Sequence, residues 1–291
     1  MTKILLLGDI HANYPALKAI IKYIQPDRFD WIVNTGDFTV YSTFPNETIQ
    51  WFRKRKKTIC ILGNTDRKIL RILKGKKLKK PKKNEKRVMY FWTSENLLPE
   101  NIAYLKSLPQ KTDFTVGRFR IGVFHGTLED PDEELGPSAP ESRFQQLAKD
   151  SPYQVQIMGH SHMPYYRIVD GIHFINPGSV GRMFDGGFRT SFAILKIFSE
   201  KIAVEHFRIP YAVEAVIAER VGRLDEEQRD VLAVASVEGE RFTAQVVAEV
   251  QGLIDRYNEV MAKWADPDAD YDKIGKEQAQ LEDKIAATDA W

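Results

Sequence analysis

Metal-ligand side chains occur directly after several short apolar runs in the first 162 residues. Asp9 and His11 follow the first run, Asp37 follows the second and Asn64 follows the third. A mixture of oxygen and imidazole ligands suits Mn, Fe, Zn, Ni or Co ions, whereas Mg and Ca favour oxygen ligands alone. The sequence therefore predicts a transition-metal site. Its candidate ligands are Asp9, His11, Asp37, Asn64, His125, His160 and His162.

The elements that must position these side chains are five predicted strands. The apolar runs are short and mostly rich in branched residues, which is typical of buried strands. They cover residues 3–8, 31–35, 58–62, 119–124 and 155–158. In an open parallel sheet the carboxyl ends of the strands share one edge, where ligands bind. We therefore expect the candidate ligands to converge at the edge of a layered α/β domain.

Spacing within two of the motifs supports this convergence. Residues two apart on an extended chain point the same way, so Asp9 with His11, and His160 with His162, can each approach one centre. Taken singly, an aspartate after a strand often caps a helix, and a lone histidine is usually structural. The occurrence of all the motifs in this order, each after a strand, favours a metal site over separate structural roles.

The motifs Asp-x-His, Gly-Asp, Gly-Asn, His-Gly and Gly-His-x-His, followed by Asn176-Pro-Gly-Ser-Val-Gly181, resemble those of the calcineurin-like metallophosphoesterases. The sequence is most similar to the small prokaryotic phosphodiesterase branch, over about residues 1–211. This resemblance implies a four-layer α/β/β/α sandwich with a two-metal site at its edge. One ion would be held by Asp9, His11, Asp37 and His162. The second would be held by Asp37, Asn64, His125 and His160, with Asp37 bridging.

The resemblance also implies a reaction, in which a metal-bridging hydroxide attacks phosphorus in line. We predict a dinuclear-metal-dependent phosphoesterase, namely a phosphodiesterase or nucleotide phosphoanhydride hydrolase, with Asp37, Asn64 and His125 as its catalytic residues. The expected cofactors are two divalent ions, manganese first, with Fe, Zn, Ni or Co as alternatives. A phosphomonoesterase, including a protein phosphatase, stays open. So does a nucleic-acid-binding scaffold that keeps a structural metal site.

Thr65 departs from the family pattern. Many members read Gly-Asn-His-Asp or Gly-Asn-His-Glu, and that histidine helps to protonate the leaving group. The hydroxyl of Thr65 does not titrate near pH 7 and is a poor general acid. Members of the small prokaryotic branch often lack this histidine too, so the change favours substrates with good leaving groups rather than loss of activity.

Composition and charge restrict the class of protein and its partners. No apolar run approaches 18 residues, and the start of the chain lacks a secretory cleavage site, so we expect a cytoplasmic protein with no membrane partner. The single cysteine, Cys60, excludes a disulfide framework and a cysteine-built zinc site. Residues 53–87 hold 17 Lys and Arg against two acidic residues. This block can contact nucleic acid, but it is more simply a solvated, partly disordered insertion over about 66–111.

The chain changes character after residue 211. Residues 212–291 hold 19 acidic and 9 basic residues and show helical periodicity over 225–236, 243–263 and 271–287. Residues 223–250 resemble a helical segment of signal-transduction ATPases, and 257–291 resemble part of ABC-F translation factors. No phosphate-binding Gly-x4-Gly-Lys-Ser/Thr loop accompanies them, so no ATPase activity is implied. We expect a helical C-terminal extension that supports packing or self-association.

Several further polar residues have open roles in the sequence. His173 and His206 lie within late predicted strands and are interpreted as structural. Asn176 either hydrogen bonds to a ligand histidine or belongs to a plain turn. Arg182 and Arg189 follow that loop and are candidates for contact with a phosphate.

Overall fold

The computed structural model describes residues 1–79, 84–184, 189–213, 256, 259–260, 263 and 271–287. The chain forms two compact units. The first comprises residues 1–82 and 89–211, and the second comprises residues 83–88 and 212–291. None of the helices in the described residues is long and apolar enough to cross a membrane.

Ten strands lie within the described residues. They are β1 (Thr2–Leu7), β2 (Trp31–Asn34), β3 (Thr58–Cys60), β4 (Lys111–Val116), β5 (Phe119–Phe124), β6 (Val155–Ile157), β7 (Tyr165–Val169), β8 (Ile172–Asn176), β9 (Arg189–Ile197) and β10 (Ile202–Pro210). They form two sheets, with strand orders β10-β9-β1-β2-β3 and β4-β5-β6-β8-β7. In both sheets the strands that precede ligand motifs pair in parallel, while the outer pairs are antiparallel.

Seven α-helices accompany these strands in the described residues. They are α1 (Tyr14–Ile24), α2 (Pro45–Arg53), α3 (Asn64–Ile72), α4 (Asn84–Asn96), α5 (Pro99–Ser107), α6 (Glu141–Ala148) and α7 (Tyr271–Ala287). Helix α1 begins where the Asn13 side chain accepts a hydrogen bond from the Ala16 amide, and Pro15 occupies its first turn. Its apolar residues recur at helical spacing, so Ala16, Leu17 and Ile20 are buried together.

The main core lies between the two sheets. Leu6 and Val33 from the first sheet join one apolar cluster with Ile121, Val123 and Ile157 from the second. Full burial of such an aliphatic side chain contributes about 1.5–3 kcal/mol. Helix α1 packs on β9 and helix α6 packs on β7, on the outer faces of the two sheets. The expected four-layer α/β/β/α sandwich is therefore confirmed.

The expectation that all five predicted strands belong to one parallel sheet is wrong. Residues 111–116 form β4, which pairs antiparallel with β5 and starts a second sheet. This strand has alternating exposed and half-buried residues, so it lacks the continuous apolar run that marks a buried strand. The late strands β9 and β10 complete the first sheet.

The predicted insertion over about 66–111 forms helices in the part that the structure describes. Residues 66–79 and 84–111 include most of α3 and all of α4 and α5. The side chains of Ile69, Met89 and Tyr90 within them are buried. The helices of this segment therefore contribute to the core, and the lysine-containing residues 80–83 lie outside the described residues.

The second unit is described mainly through α7. Val260, Ile274 and Leu281 are buried against one another, and Arg256 forms an ion pair with Glu277 at 2.9 Å. The helix confirms the predicted helical periodicity over 271–287. The predicted helix over 225–236, and most of that over 243–263, lie outside the described residues.

Candidate metal centre

The candidate ligands lie where β1, β2, β3, β5 and β6 end. Six of the seven are buried, and Asn64 is half-buried at the start of α3. These strands belong to two sheets, so the ligands meet where the carboxyl edges of both sheets come together. The convergence expected from the sequence is found, although it does not come from a single sheet.

The first group of potential ligands is Asp9, His11 and His162, whose ligand atoms all lie within 4.8 Å of one another. The Nε2 atoms of His11 and His162 are 3.0 Å apart, and His162 Nε2 lies 3.5 Å from Asp9 Oδ1. Two imidazole nitrogens and a carboxylate oxygen therefore face a common point.

The second group is Asp9, Asp37 and His125, again with ligand atoms within 4.8 Å of one another. Asp37 Oδ2 lies 3.7 Å from His11 Nε2 and 3.6 Å from His125 Nε2. Asp9 is common to both groups, while Asp37 lies between histidines of the two. The assignment of Asp37 as the bridging ligand stays a prediction.

Asn64 and His160 lie beside each other but outside these two groups. Asn64 Nδ2 is 3.3 Å from His160 Nδ1. The backbone amide of His160 donates to Asp9 Oδ2 at 3.1 Å, and its Nε2 faces the Asp132 carbonyl at 3.1 Å. All seven predicted residues are thus in contact through this network. The imidazoles of His160 and His162 have different neighbours, however: His160 lies beside Asn64, and His162 lies beside His11 and Asp9.

Backbone carbonyls orient three of the imidazoles. The Nδ1 atom of His125 lies 2.9 Å from the Thr35 carbonyl, and that of His11 lies 3.4 Å from the Thr39 carbonyl. His162 makes the same kind of contact to the carbonyl of Arg182. A proton on Nδ1 leaves Nε2 with a free lone pair, which is the usual state of a metal-ligating histidine.

The Nε2 atom of His125 tests whether the cluster fits a metal. It is buried and has no hydrogen-bond partner among the described residues. A buried polar atom without a partner is costly and calls for an explanation such as an ion. Its lone pair faces the Asp37 carboxylate rather than a donor, so the donor set fits a divalent cation.

The electrostatics of the cluster agree with this fit. Burial raises the pKa of Asp9 well above its ordinary value, and the nearby Asp37 carboxylate raises it further. Burial lowers the pKa of His125 to about 4 and that of His162 to about 3. The imidazoles are therefore neutral at pH 7 and free to ligate, and a dication would stabilise the charged form of the buried carboxylates.

The backbone at the ligands is left-handed rather than extended. Positive φ angles of 51° to 66° occur at five of the seven candidates. They are Asp9, His11, Asp37, His160 and His162. Such conformations cost about 1–3 kcal/mol each and concentrate at functional sites. The expectation that an extended chain directs both side chains of each pair the same way is therefore wrong, because sharp turns, not pleating, direct them inward.

A glycine allows the close approach of Asp37 to the third motif. A Cβ atom at Gly63 would lie 2.0 Å from Asp37 Oδ1, which no side chain can tolerate. The same Oδ1 accepts a hydrogen bond from the Thr65 amide at 2.8 Å. The chain just after β3 thus fixes the orientation of Asp37.

Sequence reasoning gave too little weight to Asp66. Its buried carboxylate accepts hydrogen bonds from the amides of Phe38, Thr39 and Gly63, and from the Thr39 hydroxyl. Burial raises its pKa to about 6, and Asp37 contributes to that shift. Asp66 therefore connects the loops after β2 and β3. Its position three residues after Gly63, where a helix begins, was the available signal.

The polar residues with open roles in the sequence lie outside the two groups of ligands. Asn176 donates to the Gly159 carbonyl at 2.8 Å and to Ser161 Oγ at 3.1 Å, so it orders the histidine-bearing loop through a carbonyl and a hydroxyl and not through an imidazole. His173 contacts the Tyr166 hydroxyl, and His206 contacts the Asn176 carbonyl, as expected for structural histidines. Arg189 is exposed at the start of β9. Arg182 lies beside the ligands, since its carbonyl faces His162.

Comparison with known proteins gives a consistent result for the first unit. A family model described as the calcineurin-like phosphoesterase superfamily domain matches residues 2–200. The uncharacterized protein MJ0912 of Methanocaldococcus jannaschii is 26% identical over 237 residues, which covers 75% of this chain and 93% of that protein. The crystal structure of a metallophosphoesterase from Sphaerobacter thermophilus aligns with a TM-score of 0.62 at 26% identity, covering 80% of this chain and 98% of the other.

One further match is partial. A stretch of 45 residues is 51% identical to the energy-dependent translational throttle protein EttA of Haemophilus influenzae. It covers 16% of this chain and 8% of that protein, so it indicates a shared segment and not a shared activity.

Proposed function

Since the chain belongs to the calcineurin-like phosphoesterase superfamily, which implies hydrolysis of phosphoesters, we propose that it is a dinuclear-metal-dependent phosphodiesterase or nucleotide phosphoanhydride hydrolase. The observation that carries this proposal is the unpaired, buried Nε2 of His125, which faces the carboxylate of Asp37. Manganese is the proposed ion, with Fe, Zn, Ni or Co as alternatives, because this mixture of imidazole nitrogen and carboxylate oxygen suits all of these ions.

Each ligand has a proposed place in the centre. Asp9, His11, Asp37 and His162 would hold one ion. Asp37, Asn64, His125 and His160 would hold the other. When bound, paired divalent ions lower the pKa of water and stabilise the attacking and leaving oxygens of an in-line displacement. Burial keeps the imidazoles neutral, and the carbonyls of Thr35, Thr39 and Arg182 direct them inward.

A preference for diesters follows from Thr65. Its hydroxyl is buried and donates to the Thr39 carbonyl at 3.2 Å, so it faces the protein and not a leaving group. An alkoxide that leaves from a monoester benefits most from a dedicated acid. This argues against the phosphomonoesterase alternative. The costly left-handed backbone at five ligands argues against a scaffold that keeps the residues only for stability.

Turnover of bis(p-nitrophenyl) phosphate by the metal-free protein, with and without added Mn²⁺, tests the proposal. We expect activity only with the ion, and a lower rate for p-nitrophenyl phosphate. His125→Gln should lose activity, whereas the matched variant His173→Gln should keep it, because His173 contacts Tyr166 and not the ligands. A rate that favours the monoester would support the phosphomonoesterase alternative, and no turnover of either ester would support the scaffold.

Three expectations about partners and location also remain proposals. Nucleic acid would contact the basic side chains of residues 53–87, a second copy of the chain would use the C-terminal extension, and the protein would act in the cytoplasm. None of these is required for the proposed reaction.

A further inference from the structure

An aromatic and cationic group of side chains lies beside the first set of ligands. The ring of Phe184 stacks on the His162 imidazole at 4.3 Å with an interplanar angle of 8°. The guanidinium of Arg182 lies 4.2 Å from the centre of the Tyr41 ring and 5.1 Å from that of Phe184. Tyr41 in turn meets His11 edge to face, with ring centres 5.0 Å apart. The three side chains therefore border two of the candidate ligands.

We propose that Arg182 and Phe184 form a nucleotide-binding subsite, in which Arg182 binds a phosphate oxygen and Phe184 stacks on the nucleobase. This inference rests on the proposed function and specifies its substrate class. Tyr41 acts as a positioning residue, because its ring contacts the guanidinium.

The surroundings of Arg182 favour an anion. Within the described part of the chain, no carboxylate forms an ion pair with this guanidinium. The residue is fixed at its backbone, since its amide donates to Ser179 Oγ at 2.7 Å and its carbonyl faces His162. The charge is thus held close to the ligands without a carboxylate partner among the described residues, and a guanidinium binds phosphate oxygens through paired N–H donors.

The exposure of Phe184 favours a flat apolar group. Its side chain is 55% exposed although one face covers His162. An exposed aromatic ring beside a phosphate-binding cation is the combination that binds nucleotides, since every base has a face that stacks on an aromatic side chain. A phosphodiester without a base would use Arg182 and leave Phe184 in water.

Calorimetry on the Mn²⁺-loaded protein tests the subsite without any need for turnover. Thymidine 5′-monophosphate and 2-deoxyribose 5-phosphate differ only in the base. We expect the nucleotide to bind about 10-fold more tightly, within the range of base stacking on an aromatic side chain. Phe184→Leu should remove this difference and leave the affinity for the sugar phosphate within about 2-fold, and Phe184→Tyr should retain the difference. Arg182→Gln should weaken both ligands.

Tyr23→Leu is the matched control for Phe184→Leu. It removes another exposed ring, on α1, and should not alter either affinity. Equal binding of the two ligands by the unaltered protein would overturn the subsite. An equal loss of both affinities in Phe184→Leu would also overturn it, because it would mean that the ring only supports His162. A base preference in a protein that hydrolyses no diester would instead refute the proposed function and leave the subsite standing.

Discussion

The Asp37 carboxylate lies between histidines of the two groups of candidate ligands. Its Oδ1 accepts from the Thr65 amide, and its Oδ2 lies at nearly equal distances from His11 Nε2 and His125 Nε2. A carboxylate held in this way can offer one oxygen to each of two ions. His162, in contrast, has its Nε2 atom beside Asp9 and His11 of the first group.

Asp37→Asn should therefore cost more activity than His162→Gln. The amide loses the negative charge that would be shared between two ions, whereas the histidine variant removes one neutral ligand from one ion. The check is kcat/KM for bis(p-nitrophenyl) phosphate together with metal content by mass spectrometry. Near-native turnover with two bound ions in Asp37→Asn would show that the bridge is assigned wrongly.

Gly63→Ala should abolish activity through Asp37. The added methyl group would lie 2.0 Å from Asp37 Oδ1 and 2.4 Å from its backbone nitrogen, so the aspartate must move. Gly136→Ala is the matched control, because a Cβ atom there meets nothing within 4 Å. We expect less than about 1% of the activity in the first variant, as a misplacement near 1 Å can cost 100-fold, and near-native activity in the second. Equal rates in the two variants would contradict the close approach.

At the scale of secondary-structure elements, the sequence predicts those helices and strands whose signals lie within the element itself. Pro15 and an apolar periodicity mark Tyr14–Ile24 as a helix in the sequence, and the structure shows α1 with these bounds. Phe119–Phe124 is equally clear as a mostly buried strand, in which only Arg120 is exposed. Helix α4 was missed because its charged residues and weak periodicity conceal the buried Met89 and Tyr90.

The site was predictable in its residues but not in their arrangement. Asp9, His11 and His162 come from the ends of β1 and β6, which belong to different sheets. Spacing along the chain indicates which residues lie at the end of a strand. Which sheet edges come together depends on the pairing of strands that are far apart in the sequence. The role of Asp66 in connecting two loops was not predictable for the same reason. Its partners Phe38 and Thr39 are more than 25 residues away in the sequence.

Cys60 at the end of β3 should be unreactive in the folded protein. Burial raises the pKa of its thiol to about 12, so at pH 8 the group stays protonated, and only the thiolate is an effective nucleophile. We expect no reaction with Ellman's reagent at pH 8 until denaturant is added, and then one thiol per chain. Complete labelling of the native protein within minutes would contradict the burial of this strand end.

At the scale of the whole molecule, the chain combines two units of opposite charge character. Residues 212–291 hold 19 acidic and 9 basic residues, whereas the whole chain is nearly balanced at a formal net charge of +2. The extension contains no histidine, and the candidate ligands and the proposed subsite all lie within the first unit. The two units therefore have separate compositions and separate chemistry.

A chain that ends after Tyr211 should keep its catalytic activity. Tyr211 itself should be retained, because its hydroxyl meets Asn13 Nδ2 at 3.2 Å beside the site loop. We expect kcat/KM for bis(p-nitrophenyl) phosphate within about 3-fold of the full chain. Size-exclusion chromatography of both proteins shows whether the oligomeric state changes. A truncated protein with native circular dichroism and full metal content but no turnover would show that the extension completes the site.

Titration of the metal-free protein with Mn²⁺, while the hydrolysis of bis(p-nitrophenyl) phosphate is followed, tests the central proposal most directly. Seven candidate ligands connected through Asp9 and Asp37 predict that the rate rises and reaches its maximum at two ions per chain. Hydrolysis that needs no added ion, or that reaches its maximum at one ion per chain, would contradict a dinuclear centre.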